Sequence, residues 1–180
     1  MTSTPADGAR LFFALWPDAA LRARLARLAR AHAPAGSRPV AADNLHLTLA
    51  FLGQVPATRR AAVEEAAAAV RGAPLTLALD RLEQWPRPQV FCAVGSQVPE
   101  GLQGVVEQLR AALAARDLPS ETRPFRIHVT LARKARRLLA PQPLPAPLPW
   151  HAERFCLVAS ESRPDGVRYR PLAWWPLAAE

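Results

Sequence analysis

The chain has 180 residues, half of them apolar, and a formal net charge of +8. This length is typical of one domain, and the apolar share is sufficient for a hydrophobic core. No apolar run approaches the ~20 residues that a membrane helix needs, which excludes a membrane-spanning segment. Lys134 is the only lysine, so the positive charge is almost all arginine. That composition suits either solvated helix faces or attraction to a polyanion.

The two cysteines and the amino terminus bear on the compartment. Cys92 and Cys156 each lie in an apolar run. Their isolation gives neither zinc-site spacing nor a disulfide framework, so we predict two buried, reduced thiols. Residues 1–10 are polar and lack the basic-then-apolar order of a signal peptide. We therefore expect a cytoplasmic protein without a membrane partner.

Periodicity of apolar residues predicts an α+β domain covering residues 1–180. Helices carry apolar stripes at helical spacing, whereas strands are short and alternating or fully apolar. Proline-containing segments at 81–89 and 141–149 are predicted as a corner and a long surface loop. Asp165 and Gly166 predict a hairpin turn between the last two strands. The predicted strands are 10–15, 45–53, 75–79, 90–95, 125–133, 153–160 and 169–177, and the predicted helices are 18–33, 56–71 and 99–116.

One pattern, His-apolar-Thr-Leu-Ala, occurs twice, within 45–53 and within 127–133. Successive side chains of a strand point to opposite faces, so each histidine shares a face with the threonine two residues later. His46 and Thr48 form the first such pair, and His128 and Thr130 the second. Strict alternation also predicts that the opposite, apolar faces consist of Leu45, Leu47, Leu49 and Phe51 in the first copy and of Ile127, Val129 and Leu131 in the second.

This repeated motif resembles that of the 2H phosphoesterase superfamily. Within the superfamily, its residues are similar to those of the bacterial and archaeal RNA 2′,3′-cyclic phosphodiesterases. The resemblance extends over nearly the whole chain. One departure is Ile127, where the family often has proline. The supporting stretches are 10–15, 44–53, 125–134, 157–162, Tyr169 and 175–177.

The resemblance implies a fold and an activity. The expected fold has two lobes related by a pseudo-twofold axis, with antiparallel sheets lining a central cleft and helices packed outside. The expected reaction is hydrolysis of RNA 2′,3′-cyclic phosphate ends to 2′-phosphomonoesters. No motif implies a cofactor or a metal, and a monomer is the default expectation.

The paired histidines suit that reaction because it needs one proton removed from water and one donated to the departing ribose oxygen. Imidazole can do both near neutral pH. By analogy with the family, His46 is assigned as proton donor and His128 as proton acceptor. The hydroxyls of Thr48 and Thr130 can donate to non-bridging phosphate oxygens and stabilise the pentacoordinate state.

Further side chains are candidates for binding substrate. Arg126 has the parity of His128 and is expected to face the cleft, where it could contact phosphate. Arg133 has the opposite parity and needs a bend to reach the cleft, but the family carries arginine there. Phe51 and Trp85 could stack on a base, although a core position is the stronger expectation for each.

Three alternatives stay open on the sequence alone. Two distant histidines could ligate zinc, although no third ligand stands in register with them. A basic RNA-binding module without catalysis is a second alternative, but aromatic platform motifs and a glycine-rich clamp are missing. Another activity of the 2H superfamily is the third: 2′-5′ RNA ligation, cleavage of 2′-5′ linkages, or hydrolysis of a small cyclic nucleotide.

Overall fold

The structure, a computed structural model, describes residues 8–178. Short 3-10 helices at Ala42–Asn44 and Ala57–Arg59 precede the third strand and the second α-helix. The main elements in chain order are β1 (Gly8–Leu15), α1 (Ala19–His32), β2 (Arg38–Pro39), β3 (Leu47–Pro56), α2 (Arg60–Ala68), β4 (Leu75–Trp85), β5 (Val90–Gly95), α3 (Glu100–Ala114), β6 (Ile127–Arg133), β7 (Gln142–Ala152), β8 (Arg154–Arg163) and β9 (Gly166–Pro176).

The strands form two antiparallel sheets, and each sheet contains one of the two motif strands. The first sheet has the order β3-β1-β8-β9, and the second has the order β2-β6-β5-β4-β7. In the first, β1 returns through α1 to pair with β3; in the second, β5 returns through α3 to pair with β6. This repetition gives the α+β fold that the sequence pattern predicts, with the two lobes and pseudo-twofold axis that the resemblance implies. The motif strands β3 and β6 contact each other, which brings the two sheets together at a central cleft.

The helices cover the sheets with one apolar face and present arginines outward, as α1 illustrates. The Asp18 carboxylate caps this helix by accepting from the backbone N–H of Leu21 at 2.7 Å. Leu21, Leu25 and Ala29 are buried, whereas Leu28 is half-buried. Apolar residues from both sheets and all three helices belong to one core cluster, so the lobes share their core.

The segment predicted as a long surface loop, 141–149, is instead part of strand β7, which corrects the sequence prediction. β7 pairs with β4 and lies at the edge of its sheet. Prolines occupy alternate positions, 143, 145, 147 and 149. Because backbone groups of alternate residues point to opposite sides of a strand, the missing N–H groups can all lie on the unpaired edge. Toward the end of the strand the residues of the other face, Leu148, Trp150 and Ala152, are buried.

The predicted corner at 81–89 is also wrong over its first half, because β4 continues to Trp85. Leu82 and Gln84 are buried, because the alternation resumes on even positions after an irregularity between Leu79 and Arg81, and Trp85 pairs with Val90 across the turn. This extension carries Trp85 to the cleft. By contrast, the terminal hairpin is confirmed, with Gly166 at a φ of +135° directly after the turn.

Two other sequence expectations concern burial. Cys92 and Cys156 are buried and free, as predicted. Within 8–178, none of the helices combines the length and the apolar character that crossing a membrane requires.

Candidate active site

His46 lies one residue before β3, and its ring is oriented by the backbone two residues upstream. Nδ1 is 2.7 Å from the carbonyl oxygen of Asn44. Since a carbonyl only accepts, Nδ1 carries the proton in this contact, and neutral His46 has its lone pair on Nε2. Nε2 in turn accepts from the hydroxyl of Thr48 at 3.1 Å. Nε2 is therefore the atom of His46 that can accept a proton, and it lies beside the threonine of its own motif.

Aromatic rings surround His46. Its ring stacks on Trp16 at a centroid distance of 5.7 Å, tilts against Phe12 at 4.7 Å, and meets the edge of Tyr169 at 5.0 Å. Burial among these rings lowers the pKa of His46 from 6.5 to about 4, and the positive charges of Arg133 and His128 act in the same direction. His46 is therefore neutral in the free protein near pH 7.

His128 is held in the same manner on the other lobe. Its Nδ1 lies 3.1 Å from the carbonyl oxygen of Arg126, again two residues upstream, so Nε2 carries the lone pair. Within residues 8–178, no protein group hydrogen-bonds to Nε2 of His128. Burial lowers the pKa of this imidazole too, and Trp85 covers it at a centroid distance of 4.8 Å. Both histidines thus offer Nε2 for proton transfer.

The two threonines differ in their partners. Thr48 donates to its own histidine, as above, whereas the Thr130 oxygen faces the Cys92 thiol at 3.9 Å. Burial raises the pKa of that thiol to about 12, so Cys92 stays protonated and can donate weakly to Thr130. The Thr130 hydroxyl can then direct its own proton into the cleft.

Each motif strand has a β-bulge directly after its threonine, and this corrects the predicted alternation. On β3 the partners of Ala14 and Phe13 are Thr48 and Ala50, so Leu49 is the extra residue. On β6 the partners of Cys92 and Phe91 are Thr130 and Ala132, so Leu131 is extra. A bulge reverses the side-chain parity beyond it. Ala50 and Ala132, which strict alternation would place on the same face as the histidines, therefore pack in the core.

The same bulges bring the residue five positions after each histidine to the cleft. Phe51, predicted to share the buried face, is 37% exposed and lines the cleft instead. Arg133 reaches the cleft through the bend that its parity required. The aromatic ring and the guanidinium thus occupy equivalent positions in the two motifs. Arg10, on the neighbouring strand β1, lies over the Phe51 ring at 4.8 Å.

Arg126 and Arg133 are both exposed at the cleft and have different partners. Arg126 donates to Glu83 at 3.1 Å and lies 4.6 Å over the indole of Trp85. Trp85 donates its Nε1–H to the same carboxylate at 2.7 Å. Arg133 approaches the hydroxyl of Tyr169 at 3.5 Å, which links the second sheet to the edge strand of the first.

The cleft between the motif strands encloses about 770 Å³ and brings together all seven side chains predicted for the site. It offers two Nε2 atoms, two hydroxyls and several guanidinium groups around one space, a set suited to acid–base chemistry on a phosphate ester. Within residues 8–178, no cluster of three or more His, Cys, Asp or Glu side chains could hold a metal ion. The seven residues are His46, Thr48, Phe51, Arg126, His128, Thr130 and Arg133.

Several residues at the cleft were missed by the sequence analysis. Asn44 orients His46, and Tyr169, quoted only as part of the resemblance, packs on the His46 ring. Glu83 fixes Trp85 and Arg126, and Arg110 comes from α3, outside both motifs. Asn44 lies two residues before His46, so its position beside the first motif could have marked it as a site residue. Tyr169, Glu83 and Arg110 reach the cleft through contacts between segments that are distant in sequence, and no local sequence pattern marks them.

The chain is similar to known phosphoesterases over most of its length. The model of the family described as LigT like Phosphoesterase matches residues 15–92 and 94–169. An RNA 2′,3′-cyclic phosphodiesterase of Escherichia coli (strain K12) is 38% identical over 93% of this chain and 96% of the relative. One of Thermus thermophilus is 34% identical over 95% and 91%. The crystal structure of E. coli LigT complexed with 3′-AMP superposes with a TM-score of 0.87 at 37% identity, covering 96% of this chain and 99% of that one.

Proposed function

This chain belongs to the LigT-like phosphoesterase family, and on that premise we propose that it hydrolyses RNA 2′,3′-cyclic phosphate ends to 2′-phosphomonoesters without a metal ion. The observation that carries the proposal is the matched setting of His46 and His128. Each has its Nδ1 fixed by the carbonyl two residues upstream, and each lines the same cleft. Both Nε2 atoms are thereby available for proton transfer.

In the proposed reaction, water attacks phosphorus opposite the 3′ oxygen. His128 Nε2 takes a proton from that water as the new P–O bond forms. The bond between phosphorus and the 3′ oxygen breaks, and His46 donates the proton from its Nε2 to the departing oxygen. The phosphate remains on the 2′ oxygen. Proton transfers at both ends each contribute about 10²–10⁴-fold to the rate.

The acid role of His46 requires that it gain a proton when substrate binds. Its pKa of about 4 leaves it neutral in the free protein. A phosphate monoanion beside the ring favours the imidazolium form and raises that pKa. Thr48, which donates to the lone pair of neutral His46, is released by this protonation, since the imidazolium Nε2 no longer accepts. Its hydroxyl can then donate to a non-bridging phosphate oxygen.

Thr130, Arg126 and Arg133 would stabilise the charge of the pentacoordinate phosphate. A guanidinium can donate two parallel hydrogen bonds to phosphate oxygens, which suits both exposed arginines. Phe51 offers an exposed ring at the same cleft for stacking on the terminal base. The 2′-hydroxyl chemistry of a cyclic end restricts the substrate class to RNA and ribonucleotides.

The test is opening of an oligoribonucleotide that ends in a 2′,3′-cyclic phosphate, with EDTA present. Wild type is compared with His46→Ala and His128→Ala, and His32→Ala serves as the matched control because His32 is exposed at the end of α1. We expect a 2′-phosphate product from wild type and from the control, and a loss of at least about 10²-fold in each cleft variant. A 3′-phosphate product would reverse the direction of attack.

Other outcomes of the same test discriminate the alternatives. Loss of activity with EDTA would favour a metal-dependent hydrolase. Retained RNA binding without turnover by wild type would favour a binding module. Joining of a cyclic end to a 5′-hydroxyl RNA at a rate above hydrolysis would favour ligation.

We further propose that residues 1–180 act as one domain and as a monomer in the cytoplasm. A core cluster shared by both sheets supports the single domain. Every residue of the proposed mechanism comes from one chain, so no second copy is required. Two buried free thiols suit a reducing compartment.

A further inference from the structure

The cleft carries more positive charge than one phosphate needs. Its lining includes five arginines at positions 87, 110, 123, 126 and 133, against one carboxylate, that of Glu121. A terminal cyclic phosphate has a single negative charge. The volume of about 770 Å³ also lies toward the upper end of the ~300–1,000 Å³ range of small-molecule sites. Both features suit a substrate that continues beyond the terminal nucleotide.

Arg110 is the half-buried arginine of the cleft lining that lacks a protein partner within residues 8–178. Arg126 is bonded to Glu83, Arg123 to Glu121 at 2.7 Å, and Arg133 to Tyr169. Within residues 8–178, none of the nitrogens of Arg110 has a hydrogen-bond or ion-pair partner, and its Nε is buried. Arg87 is exposed, so water can solvate it, whereas Arg110 is half-buried.

A buried guanidinium nitrogen without an acceptor is costly, and native proteins rarely keep one without a reason. Arg22 and Gln84 also have a buried unpaired atom, but each is held by another atom of its side chain. Arg110 follows Leu109, which is buried on the inner face of α3. The helix thus holds the start of the side chain rigidly at the cleft wall, as a preformed anion site requires.

We propose that Arg110 binds the phosphodiester on the 5′ side of the terminal nucleoside, so that the cleft recognises an RNA chain rather than a single nucleotide. This rests on the proposed function, in which the reacting phosphate lies between His46 and His128. Arg110 belongs to neither motif strand and is therefore available to a second phosphate. A guanidinium is suited to a phosphodiester because it can donate in parallel to both non-bridging oxygens.

The experiment compares four substrates: adenosine 2′,3′-cyclic phosphate, the same nucleotide with a 5′-phosphate, a diadenylate with a 2′,3′-cyclic end, and that diadenylate with an uncharged methylphosphonate linkage. Each is assayed with wild type, Arg110→Gln and Arg30→Gln. Arg30 is exposed on α1 and does not line the cleft, so its variant controls for net charge.

We expect wild type to open the natural diadenylate with a kcat/KM about tenfold above that of the mononucleotide, the range of a charged hydrogen bond. Arg110→Gln should lose this preference while opening the mononucleotide normally. The methylphosphonate should lower wild-type kcat/KM by a similar factor and have no further effect on Arg110→Gln. Arg30→Gln should behave as wild type.

Three results would overturn the proposal: equal loss on mononucleotide and dinucleotide in Arg110→Gln, an unchanged preference in that variant, or equal use of the two linkages by wild type. The methylphosphonate comparison needs no variant and holds even if Arg110→Gln fails to fold. A gain from the 5′-phosphorylated mononucleotide equal to that of the diadenylate would assign the subsite to a terminal phosphate instead of an RNA linkage.

Failure of the proposed function is distinguishable from failure of this inference. If wild type opens none of the four substrates, the hydrolytic function is wrong. Binding then decides the subsite, with diadenylates ending in a 3′-phosphate and carrying either linkage. The Arg110 site would be supported if wild type binds the diadenylate with the natural linkage about tenfold more tightly than the one with the methylphosphonate, while Arg110→Gln binds both with equal affinity. Equal affinities in wild type would reject it.

Discussion

The side chain of Asn44 pairs with the backbone around Tyr169 as an additional strand would. Oδ1 of Asn44 accepts from the N–H of Tyr169 at 2.9 Å, and Nδ2 donates to the carbonyl of Val167 at 2.7 Å. These backbone groups belong to β9, an edge strand of the first sheet. Since the carbonyl of Asn44 also fixes Nδ1 of His46, the sheet edge positions the imidazole.

Asn44→Ala should therefore impair His46 through its orientation. We expect kcat to fall about tenfold or more with little change in KM, because the ring is misplaced for proton transfer and not for binding. The free energy of unfolding should fall by about 1–3 kcal/mol from the lost hydrogen bonds. The measurements are steady-state kinetics and denaturant unfolding.

Asp43→Ala is the matched control for Asn44→Ala. Asp43 is exposed, and its carboxylate pairs with Arg22 instead of β9. A role in positioning also predicts that the basic limb of the pH–rate profile moves to lower pH in Asn44→Ala, because His46 acts as the acid and the carbonyl contact with Nδ1 raises its pKa. A loss of stability without a change in kcat or in that limb would contradict the role.

The depressed pKa of His46 makes stability depend on pH. The unfolded chain binds a proton at this residue near pH 6.5, and the folded chain does so only near pH 4. Between these values the unfolded state holds more protons, so stability should be complete above pH 6.5 and fall as the pH drops toward 4. The loss should be on the order of 2 kcal/mol, reduced from the full linkage value because the ring is half-buried.

Denaturant unfolding of wild type and His46→Gln from pH 4 to pH 8 measures this dependence. The variant lacks the titrating ring and should lose part of the slope, with His128 supplying a remainder of the same sign because its pKa is lowered too. His32→Gln, at an exposed position, should keep the wild-type slope. An identical slope in His46→Gln and wild type would mean that the ring is not desolvated.

The sequence predicted most of the fold because it was locally consistent. The strands β1, β5 and the terminal hairpin follow from apolar runs and a turn signal, and α1 follows from the apolar stripe of its sequence. Strand β7 was not predictable in the same way, because prolines normally argue against a strand. Only its place at the sheet edge, a tertiary fact, makes them acceptable there.

The site was predictable up to the bulges. Parity within His46–Thr48 and His128–Thr130 holds, since each pair precedes the extra residue of its strand. Beyond Leu49 the local pattern suggested continued alternation, yet Phe51 turned to the cleft. A bulge is set by the pairing with the neighbouring strand, which one strand's sequence does not contain.

Trp85 should control the pKa of His128. Its ring covers the imidazole, and Glu83 holds the indole by a 2.7 Å hydrogen bond. Trp85→Ala should hydrate His128 and raise its pKa toward 6.5, because burial is the largest cause of the depression. If His128 is the base, the acidic limb of kcat/KM should then shift to higher pH.

The pH–rate profile and an NMR titration of His128 test this shift in Trp85→Ala. Trp174→Ala is the matched control, because Trp174 is exposed on β9 outside the cleft lining. Glu83→Gln should give a smaller shift in the same direction by loosening the indole. A pKa of His128 that stays unchanged in Trp85→Ala would show that other groups desolvate it.

Arg133 should act on the reaction and on His46 at once. Arg133→Gln should lower kcat/KM by about 10²–10³-fold if the guanidinium stabilises the pentacoordinate phosphate, the range for one preorganised donor. In the free protein the same change should raise the pKa of His46 slightly, since the positive charge of Arg133 helps to lower it. Arg133→Lys should restore the effect on the pKa of His46 but little of the rate, because an ammonium cannot make the forked contact.

Arg136→Gln is the control for Arg133→Gln. Arg136 is exposed and outside the cleft lining, so this variant should change neither kcat/KM nor the pKa of His46. Full activity in Arg133→Lys would reduce the role of Arg133 to that of a point charge.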